Sequence, residues 1–178
     1  LISLSACKGA GEAAPQTVEP LGARTGHGFL YETAEGVREY ALLAGIRGAD
    51  TDDSRNALQA LLDEAGPGLI LVETEAGRDR YDRPVVTAMF TRGEATIGLD
   101  AEMVQSGQAM VWPRPNADER AELLLALEHE ARTSAYGGWG NAQFVVRSPD
   151  PDPLAQHLDS AQIIEGRVVA IGEARNGR

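Results

Sequence analysis

The sequence predicts an α+β fold, an OB-like five-stranded Greek-key β-barrel with helices closing its ends. Three observations support this prediction. Strand-type segments come first and are followed by a helix, further strands and a second long helix. The 178 residues suffice for one domain with a good core. No stretch of the sequence reaches the roughly 18 apolar residues of a membrane-spanning helix.

The first half of the predicted domain contains two strands and a helix. The strands are predicted at 28–33 and 37–46, on either side of a turn at Glu35-Gly36. Asp53 is the predicted N-cap of a helix at 54–65. The apolar residues of this helix recur on one face, at Leu58, Leu61 and Leu62.

The second half of the predicted domain again contains strands followed by helices. Its predicted strands lie at 69–72, 85–90 and 109–112. A short helix is predicted at 99–106, and Asn116 is expected to cap a long helix that reaches Tyr136. The expected buried stripe of the long helix consists of Ala121, Leu124, Leu127 and Ala131, which leaves Glu128-His129-Glu130 on an exposed face.

Composition limits the possible functions. The chain has 16 basic and 27 acidic residues, and its net charge of -11 repels polyanions at long range. Nucleic-acid binding would therefore need a local basic patch. The three histidines and one cysteine are too far apart for a zinc finger.

The N-terminal stretch predicts an exported, membrane-anchored protein. Leu4-Ser5-Ala6-Cys7 resembles the lipobox of a bacterial lipoprotein, so residues 1–7 are interpreted as the end of a signal peptide. Cys7 would carry the lipid anchor, and the predicted location is the cell envelope, where the protein is either lipid-anchored or periplasmic or extracellular. The alternative is a chance cysteine in a frayed end. Residues 8–20 are rich in Gly, Ala, Pro and Glu and are predicted to form a flexible linker.

The folded domain is predicted at 21–145. Residues 146–178 are interpreted as a proline-rich linker followed by the start of a second, truncated β module. This interpretation depends on a strand-type segment at 162–171 and on the hairpin signal Asn176-Gly177.

One loop carries an unusual density of charge. Residues 78–83 hold three arginines, two aspartates and a tyrosine between a glycine and a proline. Such a loop can be a solvated turn whose ions pair with one another, at roughly 0 to 1 kcal/mol per pair. It can also be a rigid set of guanidinium groups that receives a phosphate.

Several short motifs agree in order and spacing with one family. They are Leu43-Ala44-Gly45-Ile46, Asp79-Arg80-Tyr81-Asp82-Arg83-Pro84, the segment from Met103 to Trp112, and Gly138-Trp139. In this order the sequence resembles the staphylococcal-nuclease-like, or thermonuclease, family over about residues 21–142. The resemblance implies an OB-like barrel and a phosphodiesterase site on it.

The resemblance also implies a site with three parts. In that family a strand reads R-L-x-G-I-D-x-P-E, an upstream turn reads D-G-D-T and a hairpin loop reads D-R-Y-G-R. The aspartates hold calcium, the glutamate positions water, and two arginines bind the phosphate and stabilise developing charge.

This sequence matches that pattern only in part. Arg47 stands where the family has a calcium-binding aspartate, and Asp50 stands in the place of the glutamate. Leu42 replaces the first arginine, and residues 24–28, at the place of the D-G-D-T turn, contain no carboxylate. Arg83 matches the last arginine of the loop, with Asp82 in the place of the glycine, and an aspartate tolerates a left-handed turn.

From these residues we predict a site without a metal ion. The predicted phosphate-binding residues are Arg47, Arg80 and Arg83, and Trp112 is the predicted base-stacking residue. Arg47 can instead be a surface residue paired with Asp50 or Asp52. Trp112 can instead be a residue that packs at the rim of the site without contacting a ligand. Arg83 and Asp50 would be catalytic only if the protein is an active nuclease, and calcium would be its cofactor only in that case.

The functional prediction is an exported, degenerate nuclease-like OB domain. It would bind a phosphodiester or a protein partner without metal-dependent cleavage, and the nucleic-acid ligand would be a short oligonucleotide or a nucleotide, weakly bound. Its membrane contact would be the lipid anchor at Cys7. The first alternative is an active thermonuclease-type phosphodiesterase on DNA or RNA. The second is a structural module of the envelope.

Overall fold

The computed structural model describes residues 14–113, 118–158 and 162–171. Within these ranges the strands are β1 (Gln16–Thr25), β2 (Gly28–Glu32), β3 (Arg38–Leu43), β4 (Ile46–Gly48), β5 (Leu69–Arg78), β6 (Pro84–Arg92), β7 (Ala95–Gly98), β8 (Ala109–Val111), β9 (Val146–Arg147) and β10 (Ile163–Ile164). The α-helices are α1 (Asp52–Ala65), α2 (Leu99–Gln105), α3 (Asp118–Thr133) and α4 (Pro151–Leu154). None of the helices in these ranges combines the length and apolar character that crossing a bilayer requires.

Five strands close into a barrel. They follow the order β3-β2-β1-β5-β6, and β3 then pairs with β6 in parallel through Leu42↔Val85 and Leu43↔Val86. The other pairings around the barrel are antiparallel, and β7 extends the sheet as a hairpin from β6. The predicted fold class, an OB-like five-stranded barrel with helices, is confirmed.

The core fills the barrel and reaches the helices that cover it. Phe29, Leu69 and Val86 point inward from the strands and are buried. Helices α1, α2 and α3 add their apolar faces to the same cluster, with Leu58 and Leu62 from α1, Leu99, Met103 and Val104 from α2, and Leu124 from α3. The 3.6-residue periodicity that predicts these helices therefore also identifies the faces they bury.

Two details of the helices differ from the predictions. The N-cap of α1 is Thr51 rather than Asp53, because the Thr51 hydroxyl accepts a hydrogen bond from Ser54 N at 3.3 Å.

Glu128 of α3 is buried, so its predicted place on an exposed face is wrong. α3 packs against β8, where the backbone N–H of Val111 donates to the Glu128 carboxylate. Burial raises the pKa of Glu128 above its usual range. The predicted cap Asn116 lies outside the described residues.

The fold begins earlier than the prediction, at Gln16 rather than Leu21. Val18 is buried and pairs with Leu69, and Glu19 pairs with Glu32. The prediction of a flexible linker is therefore wrong for residues 16–20. A single apolar residue among polar ones is a weak sequence signal, and it is the hydrogen bonding to two neighbouring strands that makes this segment a strand.

The strand predicted at 37–46 is divided in two. Gly45 has a φ of 72°, a left-handed conformation that glycine adopts freely, and it separates β3 from β4. Strand β4 then leaves the barrel and pairs with β8 through Arg47↔Met110. This change of partner places Arg47 beside the segment that follows β8.

The C-terminal part contains less strand than predicted. In place of a strand at 162–171, only β10 is present, and it pairs in parallel with β9. Helix α4 occupies part of the segment predicted to be a linker. Ile163 packs on a small cluster that includes Met110 and Phe144, so the chain beyond residue 145 contacts the barrel domain. Asn176-Gly177 lies outside the described residues.

Candidate functional site

A groove opens between the loop joining β5 to β6, the turn joining β1 to β2, and strand β4. Its volume is about 690 Å³. We call it the arginine groove, and it is lined by His27, Leu42, Leu43, Gly45, Ile46, Arg47, Arg78, Asp79, Arg80, Tyr81, Arg83 and Trp112. This lining contains four arginines and a single aspartate, so the groove is locally basic although the chain carries a net charge of -11.

Asp79 fixes the conformation of the β5–β6 loop. Its Oδ1 accepts hydrogen bonds from Tyr81 N at 2.9 Å and from Arg83 N at 3.0 Å. Its Oδ2 accepts a hydrogen bond from Arg83 Nε at 2.8 Å. The hydrogen bond from the Arg83 side chain is the main cause that lowers the pKa of Asp79 to about 2. The carboxylate therefore holds the loop in all but strongly acidic solution.

The backbone of the loop forms a tight hairpin. Asp79 N donates to the Arg83 carbonyl at 2.9 Å, and Asp82 N donates to the Asp79 carbonyl at 3.0 Å. Asp82 has a φ of 61°, as expected for an aspartate in the place of a glycine in a left-handed turn. The loop thus keeps its turn despite this substitution.

Arg83 is held between its carboxylate partner and two aromatic rings. The centre of its guanidinium lies 5.0 Å from the centroid of the Tyr81 ring and 5.7 Å from that of the Tyr40 ring. About a third of the side chain remains exposed. A guanidinium fixed in this way can receive an anion at little cost in side-chain entropy.

The other two arginines of the loop differ in how they are bound. Arg78 donates to the Asp82 carbonyl and to Glu39 Oε1, both at 2.8 Å, so it ties the loop to β3. Arg80 stacks on Tyr81 at 4.7 Å and donates to the Tyr81 hydroxyl at 2.7 Å. In the described residues Arg80 has no carboxylate partner, and it lies exposed at the rim of the groove.

Arg47 and Trp112 form the opposite end of the groove. The Arg47 guanidinium lies 5.4 Å from the centroid of the Trp112 ring. Trp112 N donates to the Gly45 carbonyl at 2.8 Å, which holds the indole next to β4. The nearest carboxylate oxygen of Asp50 is 4.0 Å from Arg47, the length of a weak surface pair.

His27 lies in the β1–β2 turn and faces the same groove. Its carbonyl accepts a hydrogen bond from Leu43 N at 2.8 Å. Its Nδ1 is buried and finds no hydrogen-bond partner in the described part of the chain. Burial is the main cause that lowers the pKa of His27, and the positive charges of Arg47 and Arg83 lower it further.

The residues at the expected calcium position do not fit a calcium ion. The β1–β2 turn packs directly on β4, and a Cβ at Gly48 would lie 2.3–2.5 Å from backbone atoms of Gly26. The turn contributes no carboxylate, and Arg47 brings a positive charge. Asp50 is largely exposed and lines a neighbouring cavity instead of the arginine groove. In the described ranges no three His, Cys, Asp or Glu residues form a group suited to a metal.

The OB-like barrel, with a basic groove beside the D-R-Y-x-R loop, is an arrangement of the nuclease type. A family model described as staphylococcal nuclease homologue matches residues 52–141. The match spans half of the chain, and the chain belongs to this family. A search of curated proteins found no match.

The structure brings most of the predicted site residues together. Arg47, Arg80, Arg83 and Trp112 line one groove, whereas Asp50 does not. The lipidation candidate Cys7 lies outside the described residues. Sequence reasoning missed His27 and Tyr40, and it noted Arg78 and Tyr81 only as part of the charged loop. His27 is part of the segment that the resemblance places at the metal-binding turn, so its position already offered a signal.

Proposed function

We propose that this protein is an exported, nuclease-type OB domain whose arginine groove binds short phosphodiesters without metal-dependent cleavage. The observation that carries the proposal is the grouping of Arg47, Arg80 and Arg83 around one groove. Guanidinium groups bind phosphate oxygens with charge-assisted hydrogen bonds. The missing carboxylates at the calcium position support the second half of the proposal, that the domain is a degenerate member of its family with respect to cleavage.

In this proposal the ligand contacts both ends of the groove. Arg83 and Arg80 offer donors to a phosphate at the β5–β6 loop. Trp112, almost half exposed, offers a flat surface for a base at the other end. The net charge of -11 repels long polymers, so we expect the groove to bind a nucleotide or a short single strand, and to bind it weakly.

Binding of a short oligothymidylate at low salt, measured by calorimetry, tests the proposal. Arg83→Ala is expected to weaken binding by about tenfold or more, because it removes charged hydrogen bonds to the ligand. Arg92→Ala is the matched control. Arg92 pairs with Glu64 outside the groove, so this variant loses the same charge without losing a groove residue. Affinity is expected to fall as salt rises.

Equal small effects of the two substitutions would contradict the proposal. So would a wild-type protein that binds nothing at low salt. In either case the β5–β6 loop is a solvated turn held by its own ion pairs, and the domain acts through a protein partner or as a structural module of the envelope.

An active phosphodiesterase is the second candidate function. The fixed position of Arg83 favours it, because a held guanidinium can stabilise the charge of a transition state. Asp50, which lines the neighbouring cavity, would then have to turn toward the groove to position the water. Cleavage of single-stranded DNA, assayed with and without calcium, tests this alternative. Cleavage that requires calcium and is lost in Asp50→Asn would replace the binding proposal.

We further propose that a lipid on Cys7 anchors the protein in the cell envelope, as its lipobox-like context indicates. In the full-length precursor, Cys7→Ala is expected to abolish lipid labelling and to release the protein from membranes. Membrane association that survives this substitution would rule out the anchor.

A further inference from the structure

His27 has a fixed place in the lining of the arginine groove. The two glycines that flank it allow the turn to pack closely on both sides. A Cβ at Gly26 would lie 1.9 Å from the Ser54 hydroxyl oxygen, and a Cβ at Gly28 would lie 2.1 Å from the Tyr40 hydroxyl oxygen. The turn cannot shift toward either neighbour, so its position relative to β4 and the β5–β6 loop is set by packing.

Charged groups act on His27 from several elements. Arg47 of β4 and Arg83 of the β5–β6 loop both disfavour the imidazolium ion, and Asp50, which follows β4, favours it. Tyr40 of β3 lies next to the turn, with its hydroxyl 3.5 Å from Thr25 Oγ1. Two cations thus oppose one exposed carboxylate, and burial adds to their effect. In the free protein these contributions favour the neutral imidazole.

An anion in the groove reverses this balance. Its negative charge offsets the field of Arg47 and Arg83 and attracts a proton to the imidazole. The buried Nδ1, which has no partner in the described residues, is an atom to which that proton can bind. A protonated imidazole then adds a third positive charge beside the ligand.

We propose that His27 is a ligand-binding residue of the arginine groove and that an anion bound there is accompanied by uptake of one proton on its imidazole. This inference rests on the proposed function, since it concerns the same groove. It makes the domain a pH-dependent binder of phosphodiesters, which binds more tightly in mildly acidic than in neutral surroundings.

The direction of the pH dependence of binding follows from thermodynamic linkage. If binding raises the pKa of His27, then a lower pH must strengthen binding by the same coupling free energy. The strengthening begins as the pH falls to the pKa of the complex and ends below the lower pKa of the free protein. Between these two values the affinity rises by up to about tenfold per pH unit.

The experiment uses a short oligothymidylate without terminal phosphates, whose charge is constant between about pH 5.5 and about pH 8. Calorimetry near pH 6 in two buffers of different ionisation enthalpy measures proton uptake. The wild type is expected to take up part of a proton on binding and to bind more tightly as the pH falls. NMR titration of His27 with and without the oligonucleotide is expected to show a higher pKa in the complex.

Two variants separate this role from a structural one. His27→Asn is expected to lose the proton uptake and the pH dependence of binding, because an asparagine side chain does not titrate in this pH range. His129→Asn, on the exposed face of α3, is expected to behave like the wild type.

Wild-type binding that depends on Arg83 but takes up no proton would overturn this inference and leave the proposed function standing. An unchanged His27 pKa in the complex would do the same, even if His27→Asn failed to fold. Absence of any binding at low salt would overturn both.

Discussion

The β5–β6 loop on one side of the arginine groove is held by side chains, whereas the β1–β2 turn on the other side is held by backbone packing. In the loop, the Asp79 carboxylate accepts hydrogen bonds from two backbone groups and from the Arg83 guanidinium. In the turn, Gly26 lies against Gly48 with no side chain between them. The two walls therefore respond to different changes.

The two sides also contribute different properties to the groove: the loop supplies charge, and the turn sets its shape. The loop holds an ion pair at the groove, so its conformation depends on pH and its chemistry can be altered without touching the core. The turn sets the distance between His27 and β4 by close packing, so a single added methyl group disturbs the domain. We expect substitutions in the loop to change binding and acid stability, and substitutions under the turn to change overall stability.

The largest expected effect comes from Gly48→Ala. The added Cβ would lie 2.3–2.5 Å from Gly26 backbone atoms, which are not free to move. We expect the free energy of unfolding, measured by urea denaturation, to fall by about 3 kcal/mol. Gly68→Ala is the control, since its Cβ would meet nothing within 4 Å. Equal stabilities of the two variants would mean that the turn does not depend on this contact.

A smaller effect is expected for Asp79→Asn. The folded-state pKa of Asp79 is about 2, below its ordinary value of 3.8. The carboxylate therefore contributes stability that is fully present above pH 3.8 and is lost as the pH falls toward about 2. We expect Asp79→Asn to lower stability by about 1 kcal/mol at pH 7 and to reduce this loss in acid.

Acid unfolding monitored by circular dichroism measures this effect. Asp82→Asn is its control, because Asp82 is almost fully exposed and its contact with Arg78 is 3.9 Å long. If the two variants lose the same stability in the same pH range, the ion pair between Asp79 and Arg83 does not hold the loop.

The smallest expected effect is that of calcium. A ligand stabilises a protein only if it binds the native state, and the β1–β2 turn and Arg47 supply no carboxylate. Calcium at about 1 mM is expected to raise the melting temperature by less than about 1 °C, no more than magnesium does at the same ionic strength. A saturable shift specific to calcium would mean that Asp50 or Asp52 contributes to a site on the turn side of the groove.

Much of the barrel could be predicted because its signals are local. The leucines of α1 recur with helical period, and Gly66-Pro67-Gly68 ends the helix, so both its extent and its buried face follow from neighbouring residues. The loop motif fixes its own turn in the same way, because Asp79 bonds to residues within four positions. The exact cap, Thr51 instead of Asp53, depends on backbone geometry that composition does not reveal.

The errors arose where distant contacts decide the outcome. Val18 belongs to a strand because β2 and β5 pair with β1 on both sides. Glu128 is buried because α3 rests on β8, whose Val111 N–H supplies a partner for the carboxylate. Neither contact leaves a periodic trace in the sequence around the residue concerned.

By itself the sequence determined the family, the barrel with its helices, and the charged loop, because periodicity, turn residues and short motifs act over a few positions. Only the tertiary structure decided that residues as far apart as His27 and Trp112 share one groove. The division of β3 from β4 at Gly45 turns Arg47 toward Trp112, and the contact of Gly26 with Gly48 sets His27 beside them. Closure of the barrel brings these segments together, and that closure depends on pairings between strands that lie far apart along the chain.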